Sequence, residues 1–326
     1  MISRKTKNIF VRRKWELAMA VLLLAGIAIL ALFFYYQQSG ILYDIPAIDV
    51  HEHIMLGPNG TSDLIRVMDR LNITKIVLLD TPTLTFGENS NFEGYDQNVE
   101  NQLKMKQEFP GRFFVLYTYP PWDLEGPNKI VKYYGEGIDG LKFYNGVMYD
   151  LLGPINSTNM YRAYQKAREL NLSVIMHVES QDPVQLAQFQ QILRDFPDVI
   201  FICPHLCAAE DHLEILESLL DEHPNLYTDV GAWQRVGHFA VEQPDSFRQF
   251  IIKHQDRVMY ASDMVYSDDS NQGLDLKQWL SCERDLLEKK TFTCFLETGT
   301  LTGLNLPHDV LVKIYQTNPE RVYKGA

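Results

Sequence analysis

The sequence predicts an α/β fold, a (β/α)8 TIM barrel preceded by one N-terminal transmembrane helix, and three observations carry that prediction. Short apolar runs recur along the chain, centred near Asp49, Val77, Val115, Leu141, Ile175, Phe201, Tyr227 and Met259. Their spacing of roughly 26 to 38 residues is the length of a strand-plus-helix unit. Polar side chains able to bind metal or move protons stand at or near the carboxyl ends of these runs, the position that forms the mouth of a parallel barrel. Ahead of all this, every residue from Leu17 to Tyr36 is apolar or aromatic.

The amino terminus comes first in the chain. Twenty apolar residues at 1.5 Å each match the hydrocarbon thickness of a bilayer, so 17–36 reads as a membrane-spanning helix. Arg4, Lys5, Lys7, Arg12, Arg13 and Lys14 precede it, while uncharged Gln37, Gln38 and Ser39 follow. That asymmetry predicts a single-pass membrane protein with a cytoplasmic amino terminus and the barrel on the far side. Trp15 and the pair Tyr35 and Tyr36 sit where interfacial aromatics anchor a helix. A cleaved signal peptide has a shorter apolar core and small residues at its cleavage site, whereas this run ends in bulky aromatics. The expected organisation is a basic cytoplasmic segment (1–16), the helix (17–36), a linker (37–44) and one catalytic domain (45–326).

The chain has 326 residues, of which 46% are hydrophobic, and a net charge of −12. Setting aside the six basic residues and Glu16 of the first 36 leaves 24 basic and 41 acidic, a domain of −17. Such acidity favours solubility and repels phosphate backbones, which argues against nucleic acid as a partner. A small-molecule substrate and the membrane, met through the N-terminal helix, are the expected partners, with homo-oligomerisation left open.

Between the apolar runs, helical periodicity marks "SDLIRVMDRLNI", "YDQNVENQLKMKQEF", "NMYRAYQKARELN", "PVQLAQFQQILRDF", "EDHLEILESLLDEH" and "PDSFRQFIIKHQ". Ser62, Asp182 and Pro183 are start signals. Four cysteines are too few for a disulfide framework in a chain of this length. Cys282 and Cys294 are candidates to bridge in an extracytoplasmic barrel. Cys203, placed by alternation on the same face as His205, reads as a small buried apolar residue.

The first run, "IPAIDVHEHIM", carries the strongest chemical signal. Side chains alternate across a strand, so Asp49, His51 and His53 are expected on one face, with Val50 and Glu52 on the other. Two imidazoles on one face can converge on one ion. Further candidates end later runs: Lys142 in "GIDGLKFYNG", His177 in "LSVIMHVES", His205 in "VIFICPHL" and Asp263 in "RVMYASDM". A lone histidine on an apolar strand is usually a hydrogen-bonded core residue. Four at strand ends with a closing Ser-Asp point instead to a metal site, in which about three protein donors leave a position open for water. A bound divalent ion then lowers the pKa of its water from about 15.7 toward 7.

The order His-x-His, Lys, His, His, Asp on successive strands resembles the amidohydrolase superfamily of metal-dependent hydrolases. Within it, the chain is most similar to the amidohydrolase-related branch that includes aminocarboxymuconate-semialdehyde decarboxylase. The likeness runs from Ile45 to Tyr323 and includes a closing "IYQTNPERVY" that resembles the family's final helix. It implies one divalent ion, expected to be zinc, held by His51, His53, His177 and Asp263. Asp263 would also carry the proton, and His205 would steady the carbonyl oxygen or the water. It further implies that Lys142 either orients a substrate carboxylate or, when carboxylated, bridges two ions, the second held with His177 and His205. Without either role, Lys142 would pair with Asp49 or Asp139, and Asp263 would cap a helix.

Substrate contacts are expected from the loops after the strands. Arg235 suits a carboxylate through its forked guanidinium, or else sits in a surface ion pair. Trp233, Tyr144, Trp122 and Phe143 are candidates to line the pocket, and "TPTLTFGENSNFEGY" to cover it. Asp229 is placed to hold a ligand histidine in one tautomer. The expected function is membrane-anchored, metal-dependent hydrolysis of an amide, lactone or ester. The alternatives are non-oxidative decarboxylation of an unsaturated or aromatic acid, and a metal-binding module without turnover.

Overall fold

The computed structural model describes residues 41–55, 60–80, 94–146, 148–267 and 276–323. The expected cytoplasmic segment, the membrane helix at 17–36, the start of the linker and most of the "TPTLTFGENSNFEGY" stretch lie outside the described residues. Among the described residues no helix is long and apolar enough to cross a membrane.

Strands and helices alternate from the first element onward. They are β1 (Ala47–Met55), α1 (Gly60–Arg70), β2 (Ile73–Leu78), α2 (Tyr95–Glu108), β3 (Phe113–Thr118), α3 (Gly126–Glu136), β4 (Gly140–Phe143) and the short α4 (Tyr149–Leu152). There follow α5 (Thr158–Leu170), β5 (Ser173–Met176), α6 (Pro183–Asp195), β6 (Phe201–Cys203), α7 (Leu213–Glu222), β7 (Leu226–Asp229), α8 (His238–Glu242) and α9 (Pro244–Lys253). The chain ends through β8 (Val258–Met259), β9 (Met264–Ser267), α10 (Leu276–Glu288), β10 (Thr291–Phe292), β11 (Leu301–Thr302), α11 (His308–Val312) and α12 (Asn318–Val322).

The sheet order is β8-β7-β6-β5-β4-β3-β2-β1-β9, with every pairing parallel. The last two strands are halves of one eighth strand. β8 pairs with β7 and β9 pairs with β1. Between them Tyr260 accepts from the amide of Val50 at 3.1 Å, and Asp263 donates its own amide to the carbonyl of His51 at 2.9 Å. These bonds join the first strand to the eighth and close the sheet into a barrel.

Both faces of the strands are buried, as a parallel sheet under helices requires. Ile48, Val50, Val77, Leu79, Phe114, Leu116, Ile175, Ile202, Tyr227, Met259 and Ala261 form the barrel interior, with Val322 and Tyr323 among them. Their alternating neighbours, such as Ile76, Leu78, Val115, Tyr117, Leu141, Phe143, Val174 and Phe201, belong to the outer layer against the helices. Asn318 anchors the closing segment by donating from Nδ2 to the carbonyls of Gln255 and Val258, both at 2.8 Å.

Local signals behave as their chemistry dictates at some ends and not at others. Asp182 caps α6, accepting from Val184 and Gln185, with Pro183 in the first turn. Ser62 starts nothing: α1 begins at Gly60 and Ser62 lies within it. Helix α3, with Pro127 at its start, and the antiparallel pair β10 and β11 are additional elements.

The cysteines divide into two bridges. Cys282 joins Cys294, as expected, and Cys203 joins Cys207, so Cys203 is not the plain buried thiol that alternation and size indicated. Cys203 points into the outer layer, not the barrel interior. After it the chain makes a left-handed turn in which His205, Leu206, Cys207 and Ala208 all have positive φ, at 49, 54, 58 and 56°. That turn separates the direction of His205 from that of Cys203.

Candidate metal centre

Strand β1 delivers both histidines, but not by regular alternation. Its register shifts between Asp49 and Glu52. Ile48 and Val50 face the barrel interior, while Asp49 bonds to Ser262, its Oδ2 accepting from Oγ at 2.9 Å. Asp49 and Glu52 therefore do not take the opposite faces that strict alternation assigns them, and lie close enough for each to influence the other's ionisation. Burial pushes Asp49 up to about 6 against its hydrogen bonds, and pushes Glu52 well above the carboxylate range, reinforced by the charge of Asp49. The irregularity frees His51 and His53 to turn toward each other.

Their Nε2 atoms are 3.1 Å apart, and Oδ1 of Asp263 lies 3.2 Å from each. The hydrogen bonds at the far side of each ring fix the tautomers. Burial would raise the Asp229 carboxyl, but its closeness to His51 and His205 and its hydrogen bonds with them hold it below its usual range, so it is an ionised acceptor and Nδ1 of His51 donates to it at 3.0 Å. Tyr144 donates its hydroxyl hydrogen to the carbonyl of Asp80, so its oxygen accepts from Nδ1 of His53 at 3.2 Å. Both Nε2 atoms consequently present lone pairs, as does Asp263. Burial would raise the Asp263 carboxyl, but His51, His205 and His53 hold it far below its normal range. Two imidazole nitrogens and a carboxylate oxygen facing one another suit a bound cation, and His51, His53 and Asp263 form such a group.

Burial pushes His53 down to about 4 and His205 to about 3, opposed by neighbouring carboxylates, so both are neutral at pH 7, the form that ligates metal. A second group, His51, His205 and Asp229, is also close. Asp229 is already committed there, accepting from His51 and, through Oδ1, from the backbone amides of His205 at 3.0 Å and Gly231 at 3.2 Å. It serves as the orienting carboxylate that its position at the end of β7 suggested. Gly231 is required by space: a Cβ there would lie 2.8 Å from Cβ of Asp263.

The other expected residues fall into place unevenly. His205 stacks on His51 with ring centres 4.9 Å apart and brings Nε2 within 3.5 Å of Oδ2 of Asp263. His177 lies beside His205, ring centres 5.1 Å apart, but its Nε2 bonds to Oε1 of Glu179 at 2.9 Å, and it belongs to neither candidate group. Alternation explains this, since Glu179 shares the face of His177 two residues on. Lys142 puts Nζ 3.3 Å from Nε2 of His51 and 4.7 Å from the ring centre of Tyr144. Burial lowers it to about 8. It pairs with neither proposed carboxylate: Asp139 is taken by Lys106 at 2.6 Å, and Asp49 by Ser262. His177 and His205 stand side by side, and Lys142 is near enough to His177 to act on its ionisation.

Two pocket candidates are corrected, and a third takes its ion-pair alternative. Trp233 is 1% exposed, packs edge-on against Phe292 and donates Nε1 to Glu297, because the π-helical turn at Trp233–Gly237 folds its indole into the outer core. Phe143 likewise faces the outer layer. Arg235 is held by Glu210, Nε to Oε1 at 2.7 Å, and its Nη1 approaches Glu179 at 3.5 Å. Tyr144 reaches the centre, but through His53. The carboxylates Glu179 and Glu210 were not foreseen; the His-x-Glu spacing just after β5 was the available signal. Among the described residues Asp263 caps no helix, and it has φ of 49°, a strained setting that tends to mark functional positions. A cavity of about 520 Å³ lies at the opposite end of the barrel, lined by Lys106, Asp139, Ser173 and Arg321, away from this chemistry.

Comparison with known proteins agrees with the fold. The family model described as amidohydrolase matches residues 48–325. Among solved structures, a probable 2-pyrone-4,6-dicarboxylic acid hydrolase from Acinetobacter baumannii is similar at a TM-score of 0.60 and 16% identity, covering 86% of this chain and all (100%) of the other. A 4-oxalomesaconate hydratase from Rhodopseudomonas palustris gives 0.56 and 17%, covering 85% and 95%. A 5-carboxyvanillate decarboxylase from Sphingomonas paucimobilis gives 0.53 and 12%, covering 87% and 100%. No curated protein matches the chain.

Proposed function

From the premise that the chain belongs to the amidohydrolase family, we propose that it is a membrane-anchored, metal-dependent hydrolase of a small carbonyl compound, an amide, lactone or ester. The observation that carries this is the convergence of Nε2 of His51, Nε2 of His53 and Oδ1 of Asp263, three lone pairs within 3.1 to 3.2 Å of one another. One divalent ion, zinc by its preference for imidazole and carboxylate, is the cofactor of this reading. When bound, it supplies a Lewis acid for the carbonyl oxygen and acidifies water.

The protein's own groups do the remaining work. Asp229 and Tyr144 hold the two rings in the tautomers that leave Nε2 free. Asp263 keeps Oδ2 turned toward His205 and is the group to receive a proton and return it to the leaving group. His205, neutral and next to that oxygen, orients the carbonyl oxygen or the attacking water. His177 would complete the ligand set if released from Glu179. A single-ion site leaves Lys142 unmodified beside His51; the two-ion alternative has it carboxylated.

Decarboxylation of an unsaturated or aromatic acid is the second reading, supported by the fold shared with a decarboxylase. A membrane-tethered binding module is the third. The N-terminal anchor, with the barrel outside the cytoplasm, belongs to the same proposal. Both bridges and the absence of free cysteine support an oxidising compartment. Protease added to intact cells should then cleave the barrel.

Metal content of the purified chain, against a His51→Ala, His53→Ala double variant, tests the reading. About one divalent ion per parent chain and none in the variant is expected, with release of carboxylate or amine from amide, ester or lactone substrates. Full metal in the variant refutes the ligand assignment. Carbon dioxide release establishes the second reading, and a metal-loaded chain that turns over neither class of substrate, the third.

A further inference from the structure

We propose that Glu179 is a positioning residue that withholds His177 from the metal, and that Arg235, fixed by Glu210, takes over Glu179 when His177 turns to the ion. The inference rests on the hydrolytic reading above and adds the exchange of partners by which its ligand set is completed.

His177 stands next to the centre without belonging to it. Its ring is 5.1 Å from that of His205, which is itself 4.9 Å from that of His51. Among the described residues, neither of its nitrogens lies in a group of donors close enough to share an ion. Its Nε2 instead meets Oε1 of Glu179 at 2.9 Å. An ionised carboxylate only accepts, so in this pairing Nε2 carries the hydrogen and has no lone pair to offer a metal. His51 shows the opposite arrangement: the carboxylate of Asp229 takes the hydrogen at Nδ1 and leaves Nε2 free.

The backbone around this pair is pinned, so the exchange is one of side chains. The His177 amide donates to the carbonyl of Phe143 at 3.1 Å, the Glu179 amide to Oε1 of Gln185 at 3.0 Å, and the Ser180 amide to the carbonyl of Cys207 at 3.1 Å. Gly146 packs tightly against the segment, since a Cβ there would lie 2.0 Å from the carbonyl oxygen of His177. The group that receives Glu179 is already beside it. Nη1 of Arg235 lies 3.5 Å from the same Oε1, longer than a normal hydrogen bond, while Nε of Arg235 is held by Oε1 of Glu210 at 2.7 Å. Glu210 thereby keeps the guanidinium within reach, and a small rotation of Glu179 away from the ring shortens the contact to Nη1. The carboxylate then trades one charge-assisted hydrogen bond for another instead of being left unpaired.

Zinc(II) and cobalt(II) affinities of the metal-stripped full chain, measured by competition with a chelating dye, test this. Glu179→Ala should bind about ten-fold tighter than the parent, a gain that mere loss of packing does not produce. Glu179→Gln, whose amide oxygen is a weaker acceptor, should fall between the two. Arg235→Gln removes the second partner of Glu179 and should bind about ten-fold weaker than the parent, while the double variant with Glu179→Ala should match Glu179→Ala alone. Imidazole nitrogen NMR gives a readout that needs no metal: His177 of the stripped parent should carry its hydrogen on Nε2, and Glu179→Ala should lose that preference. Equal or weaker metal binding by Glu179→Ala overturns the proposal, as do a stripped parent with the His177 hydrogen on Nδ1 and effects of the two substitutions that simply add. A parent that binds no metal refutes the hydrolytic reading and this inference with it. Metal bound by the parent and lost in the His51→Ala, His53→Ala variant, with affinity unmoved by Glu179→Ala, overturns this inference alone.

Discussion

Removing the Cys203–Cys207 bridge should loosen the turn that carries His205, and glycine placed in that turn should restore it. Four consecutive residues, His205 to Ala208, have φ between 49 and 58°. L-residues resist this region by roughly 1–2 kcal/mol each, so the turn stores about 4–8 kcal/mol that something must offset. The bridge spans a sequence separation of four. A closed loop of that size restricts the unfolded chain by about 2 kcal/mol on the chain-entropy account. Hydrogen bonds supply more: Oδ1 of Asp229 accepts from the His205 amide, Cys207 bonds to Pro204 and Ser180, and Gln181 donates to Ala208.

Cys203→Ala with Cys207→Ala should therefore lower the unfolding midpoint by about 4–8 °C, taking about 2 kcal/mol at roughly 2–4 °C each. Cys203→Ala with Cys207→Gly and Ala208→Gly relieves two of the four positions, about 2–4 kcal/mol. The extra freedom of glycine in the unfolded chain returns about 1–2 kcal/mol of that. A net recovery of half or more of the lost midpoint is expected. Differential scanning calorimetry measures the midpoints, and amide exchange at Leu206 to Ala209 reports the turn directly. Should the glycine variant melt no higher than the alanine variant, strain in the turn is not what the bridge opposes.

Asp229→Asn should cost about 10–100-fold in metal affinity by releasing the His51 tautomer, measured by competition with a chelating dye. Gly231→Ala should push Asp263 out of place, since the added Cβ lies 2.8 Å from that of Asp263; the check is a fall in kcat with unchanged secondary structure by circular dichroism. Glu283 is buried with both carboxyl oxygens unpartnered among the described residues, and burial with the charges of Asp49, Asp263 and Asp229 raises it well above the carboxylate range. The folded state then binds a proton that the unfolded state has released, so stability should fall as pH rises from about 4.3 through the raised value. Urea midpoints across pH 4 to 8 should show that slope in the parent and a shallower one in Glu283→Gln.

The strands were legible because a barrel buries both of their faces. Runs such as "TKIVLLD" and "RFFVLYTY" need no alternation to be recognised and contain little else. Helix α3 was not, since "GPNKIVKYYGE" buries only Gly126, Ile130 and Tyr133 and offers too few apolar positions to set a period. The convergence of His51, His53, His205 and Asp263 followed from their places at strand ends. How they converge did not: the register shift in β1 leaves no residue signature, and the left-handed turn lacks the glycine or asparagine that would announce positive φ. Trp233 was misassigned for a related reason, and Arg235 took its ion-pair alternative. Residue type suggested pocket contacts, but a π-helical turn folded the indole inward, and Glu210 and Glu179, from the ends of other strands, stand around the guanidinium.

The bond from the Asp263 amide to His51 lies on the seam where the barrel shuts. Two partners of the trio thus emerge early in translation and the third only after some two hundred more residues, on the strand that completes the ring. A nascent or truncated chain can fold several strand-helix units and still possess no reactive centre. On the proposed assignment the donor set is complete only with topological closure, and a lesion that springs the seam should disperse it while leaving most secondary structure intact.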